Sequence, residues 1–228
     1  MILYANSCSY GVCSTGKTYV DFLGDLLNVD TVINAGVGGS CNNRILRTSI
    51  RDILELQDTD DILVLISLGA MYRSELWKNN TPANGKDGHF YSFQISSLDN
   101  NQYNTSESNE YMKQWYRQYA DEAEATNLYF LLNMFTSFLE VRNIKYLIWA
   151  GAANYKLVDF SAPFIESLHE PIANNPKIID PFSFSFSKYC SIIKGYMPYD
   201  SNLYGVYGHH TEEAHKDFAN YIFENYLK

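Results

Sequence analysis

The chain has 228 residues, of which 46% are hydrophobic and 19% charged, and its formal net charge is -9. That length and apolar content suit one packed globular domain spanning 1–228 and exclude a disordered chain. The acidic balance excludes the basic footprint that nucleic-acid binding needs, and no run reaches the ~18 apolar residues of a membrane span, so neither nucleic acid nor membrane is expected as a partner.

The chain opens directly in a strand at about residues 2–6, with no basic segment leading into an apolar one; no signal peptide is expected, and a cytoplasmic location is. The strand breaks into small and polar residues at Asn6-Ser7-Cys8-Ser9-Tyr10-Gly11. A helix is predicted from about Lys17 to Leu27 by its apolar stripe Val20, Phe22-Leu23, Leu26-Leu27. Residues 31–34 read as a second strand ending in the glycine-rich turn Ala35-Gly36-Val37-Gly38-Gly39-Ser40. A helix from about Asn42 to Leu56 follows. Residues 61–67 are nearly continuous apolar, the pattern of a strand buried on both faces. From about 77 to 110 the composition turns to Asn, Ser, Asp and Gly, an irregular insertion with one strand or hairpin arm at residues 89–95. Helical periodicity runs from about Tyr111 to Arg142 with a break near Asp121. Strands are expected at 144–149 and 177–180, residues 181–208 are aromatic and poorly periodic, and a last helix from about Thr211 to Leu227 carries Glu212 and Glu213 in its favourable first turn. Strands alternating with helices predict an α/β fold, a three-layer sandwich around a parallel sheet.

In such a sheet, ligands gather at the carboxyl ends of the strands. Ser7, the turn Gly36–Ser40, Gly69 and Asp180 all fall there, and the pair His209-His210 stands at the amino end of the last helix on the same rim. A hydroxyl, backbone amides and an imidazole form the inventory of acyl transfer. Each has a plainer reading. Serines after strands are commonly turn residues. Cys8 is adjacent and intrinsically more nucleophilic. The pair Gly38-Gly39 makes a tight turn by itself. His89 and His169 lie outside any pattern. The four cysteines, Cys8, Cys13, Cys41 and Cys190, fit neither a zinc pattern nor a disulfide scaffold, and the histidines lack the spacing of helical zinc ligands; no metal and no cofactor is expected. The 19 tyrosines serve packing or, as the sharper alternative, stacking on carbohydrate.

Three segments resemble the SGNH (GDSL-like) hydrolase superfamily. Ala5-Asn6-Ser7-Cys8-Ser9-Tyr10-Gly11 is similar to its first block, G-D-S-x-T-x-G. Asn34-Ala35-Gly36-Val37-Gly38-Gly39 is similar to its second, N-x-G-x-x-G. Gly208-His209-His210-Thr211 resembles its closing D-G-H-P. The resemblance implies a flavodoxin-like α/β/α hydrolase acting on a small-molecule or carbohydrate ester. Ser7 would be the nucleophile and His209 the general base, and the Gly39 N–H would join that of Ser7 in the oxyanion hole. The first block has Ala5-Asn6 for Gly-Asp. Met71 stands where the third block has an oxyanion Asn, with Asn42 or Arg73 as substitute donors. Tyr207 and Val206 stand where the family's Asp precedes the histidine, so the acid falls to Asp200 or Asp180, or a backbone carbonyl orients the ring. His209 is preferred to His210 because His215 follows it by six residues. His215 itself reads as a helix-surface residue or one lying behind the base. A catalytically silent ligand- or glycan-binding module and an acyltransferase are the alternative readings.

Overall fold

The computed structural model describes residues 1–12, 16–56, 61–71, 73–77, 90–94, 114, 121–152, 163–181, 183–196 and 209–228. Strand β1 (Ile2–Ser7) is followed by a 3-10 turn at Ser9–Gly11 and helix α1 (Tyr19–Leu27); β2 (Thr31–Asn34) and α2 (Asn42–Glu55) come next, then β3 (Ile62–Leu68). Strands β4 (Arg73–Trp77) and β5 (Phe90–Gln94) precede α3 (Asp121–Val141), β6 (Lys145–Ala150), α4 (Pro163–Ala173) and the closing helix α5 (Glu212–Ile222). The main sheet has the order β2-β1-β3-β6 and every pairing in it is parallel. β1 is interior, so its carboxyl end opens at the middle of the rim.

Alternation along the strands sends side chains to two cores. Leu3 and Ala5 of β1, Leu63 and Leu65 of β3, and Leu147 and Trp149 of β6 pack with Tyr19, Val20 and Leu23 of α1 and with Ala214, Phe218 and Ile222 of α5. Tyr4, Val64, Ile66 and Ile148 point the other way, onto Ile45 and Ile53 of α2, Leu128, Leu132 and Phe135 of α3, and Ile165 and Ile172 of α4. Helices therefore cover both faces of a parallel sheet, the three-layer α/β/α arrangement the alternation of elements predicts.

The two helices that carry the first and last motifs lie on one face. α1 begins after Thr18, whose N–H and hydroxyl both donate to Asp21 Oδ2 at 2.7 and 2.8 Å. α5 begins after Thr211, whose hydroxyl accepts from the Ala214 N–H at 3.4 Å. α2 is capped by a thiol, Cys41 Sγ accepting from the Arg44 N–H at 3.5 Å.

Three elements differ from expectation. The strand expected at 177–180 is reduced to one bridge, Ile148 to Ile178. Pro176 and Pro181 bracket it and cannot donate to a ladder. The arm expected at 89–95 is β5, but its antiparallel partner β4 begins earlier, at Arg73, ahead of the expected insertion. Arg47 of α2 holds this hairpin through two bonds to the Glu75 carboxylate, 2.8 and 3.3 Å. Helix α4 had no counterpart in the periodicity, because Pro163 and Pro171 both read as breakers and Pro171 nevertheless lies inside it. The remainder of 78–113, and most of the expected helix before Asp121, lie outside the described residues. Among the described residues no helix is long and apolar enough to cross a membrane.

Phe218 is fully buried and its ring meets those of Tyr19, Trp149 and Phe186. Phe218→Ala is expected to lower the unfolding free energy by about 3–5 kcal/mol, whereas Phe130→Ala, at a position 52% exposed on α3, should change it by under about 0.5 kcal/mol. Urea denaturation of both variants checks the pair.

Candidate active site

Ser7 is the last residue of β1 and only 1% exposed. Its alternation with Leu3 and Ala5 places it on the α1/α5 face. The Oγ donates to the Cys8 carbonyl at 3.0 Å. Glycines close around that oxygen. A Cβ on Gly11 would collide with Ser7 Oγ, and one on Gly36 would lie 2.5 Å from it. Both positions thus need glycine for space alone. The second-block turn is laced to the same strand end, the Val37 N–H donating to the Ser7 carbonyl at 3.1 Å and the Ala35 N–H to that of Ala5 at 2.8 Å.

Asn6 points to the opposite face, and its contacts explain why an amide stands where the block it resembles has Asp. Its Oδ1 accepts from the Ser7 N–H at 2.9 Å. Its Nδ2 donates to the Ile45 carbonyl at 3.0 Å and faces the hydroxyls of Thr48 and Ser49 at 2.9 and 3.0 Å. Thr48 and Ser49 hydroxyls in turn donate to the carbonyls of Arg44 and Ile45. A carboxylate has no proton for Ile45, so this buried site takes an amide. The arrangement also commits the Ser7 N–H, one of the expected oxyanion donors, to Asn6.

The other expected donors sit at the rim. Gly39 is exposed with φ of 79°, the left-handed region, and nothing lies within 4 Å of where its Cβ would be. Asn42, the first residue of α2, accepts the Gly69 N–H on its Oδ1 at 2.8 Å and so ties the second block to the turn after β3. Met71, at the third-block position, is a core residue, 5% exposed.

The three closing-block histidines have three environments. The His209 ring lies 5.3 Å from that of Tyr10, three residues beyond Ser7, with the planes tilted by 32°. His210 is buried against Phe186, with Nε2 3.5 Å from Ser191 Oγ. Burial holds it largely neutral, its pKa lowered to about 4. His215 is fully buried; it is not the surface residue its helix position suggests. Its Nδ1 accepts the Tyr19 N–H, the first of α1, at 3.1 Å, and its ring stacks on that of Tyr19 at 5.7 Å. Burial, reinforced by His210 and His209, lowers its pKa to about 3. Asp180, one of the two carboxylates considered as the acid, is exposed, and its charge reaches the buried Tyr129 of α3, on the face opposite Ser7. Asp200 lies outside the described residues. Among them no group of three or more His, Cys, Asp or Glu side chains could hold a metal ion.

The sequence reading missed Tyr19 and Ser67. Ser67 is level with Ser7 in the neighbouring strand, and Trp149 is level with Ser67 in the next. Tyr19 counted neither in the apolar stripe of α1 nor in any motif. The available signal for Ser67 was a serine at the end of an otherwise apolar strand, level with Ser7.

No protein-family model matches the sequence, and no curated protein matches it. Solved structures do match in fold over essentially the whole chain. A protein from Desulfitobacterium hafniense assigned to the G-D-S-L lipolytic family superposes with a TM-score of 0.51 at 11% identity, covering 98% of each chain. An acetyl xylan esterase gives 0.50 at 14% identity, covering 99% of this chain and 100% of its own. A member of the lipolytic G-D-S-L family from Veillonella parvula gives 0.50 at 13%, covering 100% and 99%. The chain has the SGNH-hydrolase fold.

Two outcomes follow from these contacts. Asn6→Asp keeps the shape but turns a donor into a carboxylate against the Ile45 carbonyl; it should cost about 2–3 kcal/mol of stability, read by denaturant titration. The unfolded chain protonates His210 and His215 near the ordinary value of about 6.5, while the folded chain resists until about 4 and 3. Protons therefore favour unfolding across that window. Stability should fall as pH drops below about 6.5, by up to about 1.4 kcal/mol per pH unit for each histidine. His210→Gln should flatten the slope of Tm against pH.

Proposed function

We propose that the protein is a serine hydrolase of the SGNH type that cleaves an ester or O-acetyl group, with Ser7 as nucleophile and His209 as general base. One observation carries this reading most. Ser7 ends the interior strand on the sheet face that α5 covers, and the His209 ring packs on Tyr10 of the turn that follows Ser7. The fold shared with lipolytic and esterase structures supports it.

In the proposed reaction the Ser7 hydroxyl turns away from the Cys8 carbonyl toward the rim and attacks the ester carbonyl as His209 takes its proton. The carbonyl oxygen becomes an oxyanion. With the Ser7 N–H already bonded to Asn6, stabilisation falls chiefly to the Gly39 N–H and Asn42, the Ser7 amide contributing by sharing its proton. The imidazolium returns the proton to the leaving alcohol. Water then attacks the acyl-enzyme by the same route; a second alcohol in place of water would make the protein an acyltransferase. Asp200, or a backbone carbonyl, is the proposed partner behind His209; Asp180, whose charge reaches Tyr129 on the opposite face, is not proposed for it. A small-molecule or carbohydrate ester is the proposed substrate.

A silent binding module on the same fold is the competing reading. The 1% exposure of Ser7 and the Oγ proton spent on Cys8 favour it. The two part on one experiment. Ser7→Ala should lower kcat for p-nitrophenyl acetate by more than about 10³-fold with an unchanged circular dichroism spectrum, and a fluorophosphonate probe should label Ser7 in the native protein. An unlabelled Ser7 together with activity unaffected by Ser7→Ala would reject the esterase.

A further inference from the structure

Beside Ser7 the α1/α5 face carries a second buried hydroxyl group that neither motif contains. Tyr19, the first residue of α1, is 1% exposed. The Cβ that would strike Ser7 Oγ from Gly11 would also lie 2.9 Å from the Tyr19 hydroxyl, so the phenol and the serine border one small space. Burial raises the Tyr19 pKa, and the nearby hydroxyls of Ser67 and Ser7 oppose that rise. Ser7 Oγ spends its proton on Cys8, which leaves its lone pairs open to the phenol, and Ser67 Oγ makes no hydrogen bond among the described residues.

The phenol is placed by its ring and its backbone together. The ring is boxed by Trp149, Phe186 and Phe218 at centroid distances of 5.6, 5.4 and 5.4 Å. The backbone N–H is held by His215 Nδ1 from the far end of the chain. An N–H in the first turn of a helix has no partner within the helix. An imidazole that accepts one through Nδ1 keeps its proton on Nε2. His215 is therefore a neutral brace between α5 and α1, with a fixed tautomer.

We propose that Tyr19 is a positioning residue for Ser7: its hydroxyl donates to Ser7 Oγ when that oxygen swings toward the rim, and the His215 brace sets the height of the phenol. The inference rests on the esterase reading for its kinetic consequence, and on the contact alone for its structural one. Tyr19 takes no part in bond making. It narrows the rotamers open to Ser7, and misplacing a nucleophile by a fraction of an ångström is costly in rate. Ser67, level with Ser7, brings a second buried hydroxyl to the same side of the sheet. Burial, which drives the Tyr19 pKa upward, keeps the phenol protonated and hence a donor.

Tyr19→Phe retains the ring and removes only the hydroxyl. With p-nitrophenyl acetate, kcat should fall roughly 10- to 100-fold while KM stays within about twofold, and fluorophosphonate labelling should slow in proportion. A merely structural tyrosine would not give that split. Thermal unfolding of Tyr19→Phe, Ser7→Ala and the double variant supplies the second readout. The double variant's loss in Tm should fall short of the summed single losses by roughly 2 °C or more. Additive losses, or a Tyr19→Phe enzyme with wild-type kcat, would overturn the proposal. Should the wild-type protein neither turn over ester nor take the probe, the esterase reading fails, and the Tm cycle alone decides whether the two hydroxyls are coupled.

Discussion

One amide governs the end of β1. Asn6 accepts from the Ser7 N–H on one side and donates to the Ile45 carbonyl of α2 on the other, at 2.9 and 3.0 Å. Its neighbours Tyr4, Thr48, Ser49 and Asp52 extend the set of polar groups, the Tyr4 hydroxyl donating to Asp52 at 3.0 Å. A polar cluster inside a parallel sheet is costly unless each member is paired. Paired, it fixes the register of α2 on β1 more closely than apolar contact does. Because side chains alternate, locking residue 6 to the α2 face sends residue 7 to the α1/α5 face. The placement of the hydroxyl beside the closing helix is thus a consequence of what lies under the opposite face.

The same constraint shapes the glycines. With Ser7 Oγ turned into the sheet corner, Gly11 and Gly36 have no room for a Cβ, whereas Gly39 has room and needs glycine for its left-handed backbone. Two kinds of requirement sit within four residues of the second-block turn. Gly36 is tied to the nucleophile candidate, and Gly39 presents an outward amide. Asn42 then joins this turn to the end of β3 through Gly69. Three strand ends are in this way cross-braced by backbone and amide groups, and the buried Arg44 guanidinium adds a bond to Ser40 Oγ at 3.1 Å.

Much of this was readable from the sequence. The apolar runs of β1, β2, β3 and β6 and the stripes of α1 and α2 fall within a residue or two of the expected positions, most clearly at β1, β3 and β6, whose burial on both faces leaves a strong signal. The last helix was expected to Leu227; its α-helical part ends at Ile222 and it continues as a π-helical turn at Phe223–Leu227. α4 was hidden by its prolines, and the strand at 177–180 was overestimated because β propensity says nothing about the flanking Pro176 and Pro181. Ser7, Gly39 and Asn42 stand out through motif and strand-end position. Tyr19 and His215 do not, since their partnership spans 196 residues and depends on which face of each helix turns inward.

The histidines show what geometry adds to a motif. Sequence offers His209, His210 and His215 as one cluster. A general base works best when its pKa lies near the pH of the reaction, and its protonated form must be tolerated. His215 has its Nδ1 bonded to Tyr19 and its pKa lowered to about 3 by burial, and His210 is buried beside Phe186 with its pKa lowered to about 4. Either would resist the positive charge that deprotonating a serine creates. Their burial gives them another use, as neutral polar packing that anchors α5 to α1 and to the segment carrying Ser191. In the proposed reaction the role of base therefore goes to His209, whose ring lies along Tyr10 beside the turn that leaves Ser7.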